Sequence, residues 1–286
     1  MSAELKVNHM PNQSPLTDLL RRRELIRMLA VRNLKIRYKN SALGFLWSLL
    51  TPGFFILIYA LFAGIIGMRG RMLGTDGATE IDFLPFLVTG IVVWQFTATC
   101  FNDGLHAVTG NANLVKKASF PRIILPLSMT LANAVNFVLT LAVLAIYLAL
   151  EPSVRFQGAA LLWLPAALAA QFALCFGLTL AVSTANVFFR DTEHLVGVAS
   201  LAWFFLTPVF YPPKMQLDIL ADKLHWPAWL AYLNPMTGIA GAYRQALLGG
   251  GGWLAGTLVS FAVSLAVLVI GLAAFQRSEG YFGDVL

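Results

Sequence analysis

Six stretches of this sequence are apolar for long enough, or nearly so, to cross the roughly 30 Å of a bilayer's hydrocarbon core. They are 43–66, 83–101, 123–149, 163–187, 195–212 and 253–275. No other feature limits the fold as strongly. A backbone in lipid must satisfy its own hydrogen bonds, which leaves only helices or a closed barrel. Barrel strands would alternate in polarity over segments of about ten residues, whereas these runs are continuous. Charge is scarce as well. Asp, Glu, Lys and Arg make up 12% of the chain, against about 25% in soluble domains, and the mean hydropathy is +0.72. Too little charge remains to cover a water-facing surface. The expected fold is an all-α membrane protein with six transmembrane helices.

The runs are not uniform. Pro52 lies in the first, and the fifth is short. Between the fifth and sixth lies 213–250, rich in Pro, Gly and Trp. Its core, 224–243, is interrupted by Pro227 and Pro235, and each proline costs about 3 kcal/mol in a helix interior. Broken helices at membrane depth persist only against protein or a cavity. The segment therefore reads as a broken hairpin of two short re-entrant or extracytoplasmic helices, with a seventh span as the alternative.

Orientation follows from Lys and Arg, which concentrate on cytoplasmic flanks. Nine precede the first run, eight of them between residues 17 and 39. With six spans, 14 of the 20 Lys and Arg fall on that side, which places both termini in the cytoplasm. Residues 1–16 are expected to be disordered and hold no apolar signal-peptide core. Residues 17–40 are expected to form a helix on the cytoplasmic membrane face, capped by Thr17 and Asp18. Two apolar stripes run along it. Leu16, Leu20, Val31, Leu34 and Tyr38 form one; Leu25, Leu29 and Ile36 form the other. Two stripes suit a helix touching both lipid and protein, while a plain basic anchor is the simpler reading of any single Arg or Lys.

Catalytic signatures are missing. No G-x-x-x-x-G-K-S/T cradles a nucleotide, and no H-E-x-x-H or C-x-x-C suggests a metal. The run Gly249–Gly252 has no following Lys and reads as a flexible lead into the last span. Cys100 and Cys175 read as buried free thiols. Asp103 and His106, spaced i, i+3 near the end of the second span, suit either a proton relay or metal pair, or simply a polar helix end. Asn133, Asn136 and Gln171 lie inside spans, where polar side chains glue helices together or line a wet pathway. A chain with many spans, no nucleotide site and no buried proton relay draws its energy from elsewhere or is passive.

The stretch Arg32–Pro52, RNLKIRYKNSALGFLWSLLTP, closely resembles the start of the first span in permease subunits of ABC-2 type polysaccharide exporters, which serve O-antigen, capsule and teichoic-acid export. Further matches follow in the family's order. These are Lys116–Leu127 (KKASFPRIILPL), Asn186–Asp191 (NVFFRD), Thr207–Pro212 (TPVFYP), Asn234-Pro235 with Tyr243-Arg244, and the tail Phe282–Leu286 (FGDVL). Together they cover essentially 17–286. The resemblance implies one ABC-2 type transmembrane domain, 41–286, working as a homodimer in the bacterial cytoplasmic membrane. It implies two copies of a separate ATP-binding subunit carrying the ATP and Mg, no cofactor and no catalytic site in this chain, and a lipid-linked polysaccharide as cargo. Membrane lipids are the other expected partners; nucleic acid is not. The loop 67–82, with Arg69, Arg71, Asp76, Glu80 and Asp82, departs from the pattern.

Three groups of residues then become candidates. Lys116, Lys117, Phe120, Pro121, Arg122, Arg190 and Asp191 occupy the turns where a push from the ATPase subunit would enter, although ordinary positive-inside loop chemistry also accounts for the cations. Arg32, Arg37, Tyr38 and Lys39 sit at the depth where a lipid-linked glycan presents its phosphate, and Arg32, Arg37 and Lys39 suit charge-assisted hydrogen bonds to it. On the opposite side Tyr211, Trp226, Trp229 and Tyr232 suit an extracytoplasmic gate of sugar-stacking rings, or an interfacial aromatic belt. An ABC-2 permease for a drug or small lipid is the nearest alternative. A membrane-bound glycan-modifying enzyme, with Asp191, Glu193 and His194 as its nearest approach to a catalytic cluster, is a more distant one, as is a structural scaffold.

Overall fold

The computed structural model describes residues 22–66, 70–73, 80–117, 120–154, 158, 160–249 and 254–286. The segment 1–16, the capping residues Thr17 and Asp18, the loop residues Arg69 and Asp76, and Gly250–Gly252 lie outside these. The first helix, α1, covers Arg23–Arg37. Asn40 and Gly44 then take left-handed backbone angles (φ 64° and 50°), which turns the chain through a short 3-10 segment, Gly44–Leu46, into α2, Trp47–Ile66. A small antiparallel pair, β1 (Arg71–Leu73) and β2 (Glu80–Asp82), sets Met72 opposite Ile81.

The remainder is helical: α3 (Phe83–Gly104), α4 (His106–Thr109), α5 (Ala112–Lys117), α6 (Ile124–Leu150), α7 (Trp163–Phe188) and α8 (Thr192–Leu206). The 213–250 region holds α9 (Pro213–Asp218), a π turn at Ile219–Lys223, a 3-10 turn at Ala228–Leu233 and α10 (Pro235–Leu248). The chain ends with α11 (Leu254–Ser278) and α12 (Phe282–Val285). Pro227 precedes the 3-10 turn and Pro235 begins α10, where a missing N–H costs nothing. The prolines that break the apolar pattern thus act as helix starts.

Among the described residues, four helical stretches are long and apolar enough to cross a membrane: Phe83–Gly104, Ile124–Leu150, Ala160–Phe188 and Leu254–Val285. Two shorter apolar stretches, Trp47–Phe62 in α2 and Thr192–Leu206, accompany them. Apart from the small β1–β2 pair, the described chain is helical, and it is a multi-pass membrane protein. Its most enclosed helix is α3, with 78% of its apolar window buried, against 22–28% for the other three long stretches. Helices α6, α7, α8 and α10 surround it. The outer faces of α2, α8 and α11 carry exposed Leu, Ile, Val and Phe, as a lipid-facing surface requires.

Close approach between helices rests on small residues. Gly271 of α11 meets the backbone of Gly177 of α7, and a Cβ at Gly177 would lie 2.7 Å from Leu268 Cα. Gly238 of α10 packs on Ser260 of α11, whose hydroxyl accepts from the Gly238 N–H at 3.2 Å and donates to the Tyr232 carbonyl at 2.9 Å.

Helix α8 stops six residues before the end of its apolar run. Thr207 is extended, and Pro208 disfavours helix at the residue before it. A helix ending leaves orphan carbonyls, and side chains from the hairpin region meet them. The Leu206 carbonyl accepts from Asn234 Nδ2 and Gln216 Nε2, both at 3.2 Å. Asn234 also accepts from Trp203 Nε1 at 2.8 Å, and it caps its own helix through the Met236 N–H at 3.1 Å.

Candidate functional site

Helix α1 turns inward a face that carries Leu25, Ile26 and Leu29 together with Arg32 and Asn33. Leu29 is buried, and Leu25 and Ile26 join a cluster that ties α1 to α6, α7 and the tail residues Phe275 and Phe282. The Leu25–Leu29 stripe is therefore the protein-facing one, while Ile36, its third member, is exposed, as is Val31 of the other stripe. Beside it, Arg32 donates to Asn111 Oδ1 at 2.5 Å and Asn33 to Ser128 at 3.4 Å. One turn on, Arg37 bridges to the Asp103 carboxylate of α3 and donates to Asn133 Oδ1 of α6 at 2.6 Å. Tyr38 donates to Asn136 Oδ1 at 3.1 Å. Partial burial raises the Tyr38 phenol above its ordinary pKa; the Arg37 charge and a hydrogen bond with Ser48 oppose this. Tyr38 is thus a neutral donor at physiological pH.

These contacts frame a cavity of about 420 Å³ lined by Arg32, Asn33, Arg37, Asp103, His106 and Asn111, among others. A second, of about 260 Å³, continues between α2, α3 and α6, with Arg37 shared between them. Its walls are Tyr38, Trp47, Ser48, Thr51, Gln95, Thr99, Asn136 and Thr140, with apolar residues between. A polar seam thus enters the bundle from the α1 end. The amide nitrogens of Asn133 and Asn136 are buried there without partners among the described residues, in surroundings where an unmet donor is costly.

Of the substrate-entry candidates, the fold brings Arg32, Arg37 and Tyr38 to this seam. Lys39 is exposed and lines neither cavity. Asp103 and His106 both line the outer cavity but take different partners. Asp103 pairs with Arg37, while His106 Nδ1 lies 3.7 Å from the Glu193 carboxylate at the start of α8. Among the described residues no cluster of His, Cys, Asp and Glu is fit to hold a metal.

The intramembrane amides separate by role. Asn133 and Asn136 serve the seam. Gln171 instead joins α7 to α3, donating to the Val93 carbonyl at 2.7 Å and to Thr97 at 3.1 Å. Cys100 and Cys175 are buried and free.

The candidates for contact with the ATPase subunit divide too. Lys116, Lys117, Arg190 and Asp191 are exposed at the α1 end. Phe120 is partly buried against the same cluster as Leu29. Pro121 offers its carbonyl to Ile124 N–H at 3.1 Å at the start of α6. Arg122 donates to the Glu279 carbonyl, fastening the tail beneath the loop. In the third group, Trp226 and Trp229 are exposed, Tyr211 is half-buried with its hydroxyl on the Phe205 carbonyl at 3.2 Å, and Tyr232 is buried.

Sequence reasoning passed over Arg244, counting it among loop cations. It is fully buried. Its guanidinium donates to the carbonyls of Phe86 (3.3 Å), Pro208 (2.7 Å) and Val209 (2.6 Å), and lies 3.5 Å from the Phe86 ring centroid. A Cβ at Gly90 would collide with it. Arg244 thereby pins α10 to the start of α3 and the end of α8, without a carboxylate partner among the described residues. Its signals in the sequence were its place among apolar residues and the family match at Tyr243-Arg244.

A bundle of lipid-facing helices around a buried α3, with a basic polar cavity at one end and a pinned hairpin at the other, defines a multi-pass membrane protein of the transporter class. The profile of the ABC-2 type transporter family matches residues 24–248, and the chain belongs to that family. It is similar to the O-antigen export system permease protein RfbA of Klebsiella pneumoniae, 27% identical over 267 residues, which are 92% of this chain and 95% of the relative. It is also similar to the protein of the same name from Myxococcus xanthus, 31% identical over 227 residues, 79% of this chain and 81% of the relative.

Proposed function

We propose that this chain is the membrane-embedded permease subunit of an ABC exporter that carries a lipid-linked polysaccharide of the O-antigen type outward across the bacterial cytoplasmic membrane. The observation that carries this reading is the basic cavity of Arg32 and Arg37 opening into a polar seam, in a chain whose relatives are named O-antigen export permeases. A drug or small apolar lipid has no use for two arginines and a run of amides and hydroxyls leading inward.

In this proposal the chain spans the membrane six times with both termini cytoplasmic, α2 and α8 supplying the two shorter spans, and with 17–40 as the interface helix of domain 41–286. It acts as a homodimer with two ATP-binding subunits, which hold the ATP and Mg. The carrier's phosphate docks on Arg32 and Arg37. Phosphate is the natural bidentate partner of a guanidinium, and in the resting state Asp103 occupies that position on Arg37. The ATPase subunit presses on the loops holding Lys116, Lys117, Phe120, Pro121, Arg122, Arg190 and Asp191. Arg122 passes that push to the tail and, through the shared apolar cluster, to α1. Tyr211, Trp226 and Trp229 flank the exit; Tyr232 supports them from within.

The test is ATP hydrolysis by the permease–ATPase complex in proteoliposomes. Lipid-linked glycan should stimulate the intact complex, and the Arg32→Gln, Arg37→Gln double variant should lose that stimulation while keeping basal hydrolysis. Full stimulation in the double variant would refute the arginine site. Absence of stimulation in the intact complex would refute the polysaccharide reading.

A further inference from the structure

The tail that follows α11 touches both of the loops at the α1 end. On one side Arg122 donates to the Glu279 carbonyl, and a Cβ at Gly283 would lie 3.3 Å from the same guanidinium. Helix α12 also packs against α5. On the other side the Phe282 ring meets that of Phe188, the last residue of α7, with centroids 6.0 Å apart. Phe282 is fully buried and lies edge-on to Phe275 at 5.3 Å, so one ring fastens the middle of the tail. The tail thus bridges the loop that holds Arg122 and the loop that holds Arg190. Its other side chains stay open. Tyr281 is 64% exposed and Val285 50%, and Phe189 on the second loop is 72% exposed. Lys116, Lys117, Arg190, Asp191 and Asp284 are exposed on the same segments. Rings and apolar side chains among charges of both signs have the anatomy of a protein interface, with an apolar centre and a polar rim. An anionic leaflet suits them less, because it repels Asp191 and Asp284. The family of this chain implies an ATP-binding subunit as partner. A rigid body that engages both loops must pass over the residues that bridge them.

We propose that the tail 279–286 is itself part of the docking surface for the ATP-binding subunit, with Tyr281 and Phe189 as its apolar anchors. This rests on the reading of the loops holding Arg122 and Arg190 as the ATPase contact. A push on the tail enters α11 directly, because the short 3-10 turn Glu279–Tyr281 joins α11 to α12 without a loop. Helix α11 in turn packs backbone to backbone on α7 at Gly271 and Gly177. The tail therefore gives the ATPase a third point of contact, on the last long helix as well as on the two loops.

The experiment places the photoreactive residue p-benzoylphenylalanine in the full chain, co-expressed with its ATP-binding subunit, at Tyr281, at Lys117 or at the exposed Leu258 of α11. Irradiated membranes should yield an adduct with the ATP-binding subunit from Tyr281 and from Lys117, and none from Leu258. In lipid nanodiscs, the Tyr281→Ser, Phe189→Ser double variant should need about tenfold more ATP-binding subunit for half-saturation, the loss expected of two interface anchors. Its melting temperature should not change, because both side chains are exposed. Capture from Lys117 but not from Tyr281, or capture at Tyr281 of lipid or a second permease copy alone, would remove the tail from the interface and leave the loop reading standing. Undiminished docking of the double variant, or a loss of docking that tracks a fall in melting temperature, would do the same. Capture from neither Tyr281 nor Lys117 would sink both readings.

Discussion

Two arginines, at opposite ends of the same bundle, show how surroundings assign a role to one residue type. Arg244 is fully buried, and its guanidinium is held by three backbone carbonyls. Arg37 is part-exposed, shares its charge with Asp103 and Asn133, and faces open volume on two sides. The first satisfies two carbonyls just past the end of α8 and one in the first turn of α3, so its gain is structural. The second holds a part-exposed carboxylate beside open volume, which is why the proposal assigns it to a ligand. The difference lies in what remains to be bound once the guanidinium's neighbours are counted.

The sharpest test of that contrast is Arg244→Met. It strands three buried carbonyls and empties the space over Phe86, and should cost about 3–5 kcal/mol, by analogy with breaking a buried ionic contact. Thermal unfolding in detergent should show a drop of many degrees or a failure to accumulate. Arg244→Lys should recover little, since an ammonium cannot reach all three carbonyls at once. A near-normal melting temperature in either variant would break the comparison.

Arg37→Gln should do the reverse. Glycan-stimulated ATPase should fall by about tenfold or more, the loss of a charge-assisted contact, with the melting temperature nearly unchanged. A large stability loss here would make Arg37 another clamp. Asp103→Asn refines the point. Removing the internal anion should raise decyl phosphate affinity by roughly two- to fivefold, since an exposed pair contributes little more. A weaker binder would mean that Asp103 orients Arg37 and does not compete for it. The smallest effect belongs to Lys39→Ala, which should leave transport within about twofold, because an exposed lysine outside both cavities offers only a screened charge.

Much of the architecture was legible in the chain. Continuous apolar runs, scarce charge and punctuating prolines bounded the helices to within a few residues. Pro227 and Pro235 pointed to a broken hairpin, and short helices lie there. The α8 end was less legible, because Leu, Phe and Tyr continue past it; Pro208 and the incoming Asn234 and Gln216 side chains stop the helix. Of the residues that line the two cavities, Arg32, Arg37 and Tyr38 were named from their depth at the start of the first run. Their partners were not, since Asn111, Asp103, Asn133 and Asn136 lie about 65 to 100 residues away along the chain. Asp103 and His106 read as a pair by spacing, yet packing sends each to a different helix.

The sequence by itself determined that this protein lives in lipid as a set of helices, because apolar length and missing charge admit no other solution for the backbone. It also placed the chain in its family through motifs kept in order. Only the tertiary structure decided which cations are structural and which are available. A charge's role depends on the groups that desolvate and satisfy it, and those come from distant segments that packing alone brings together.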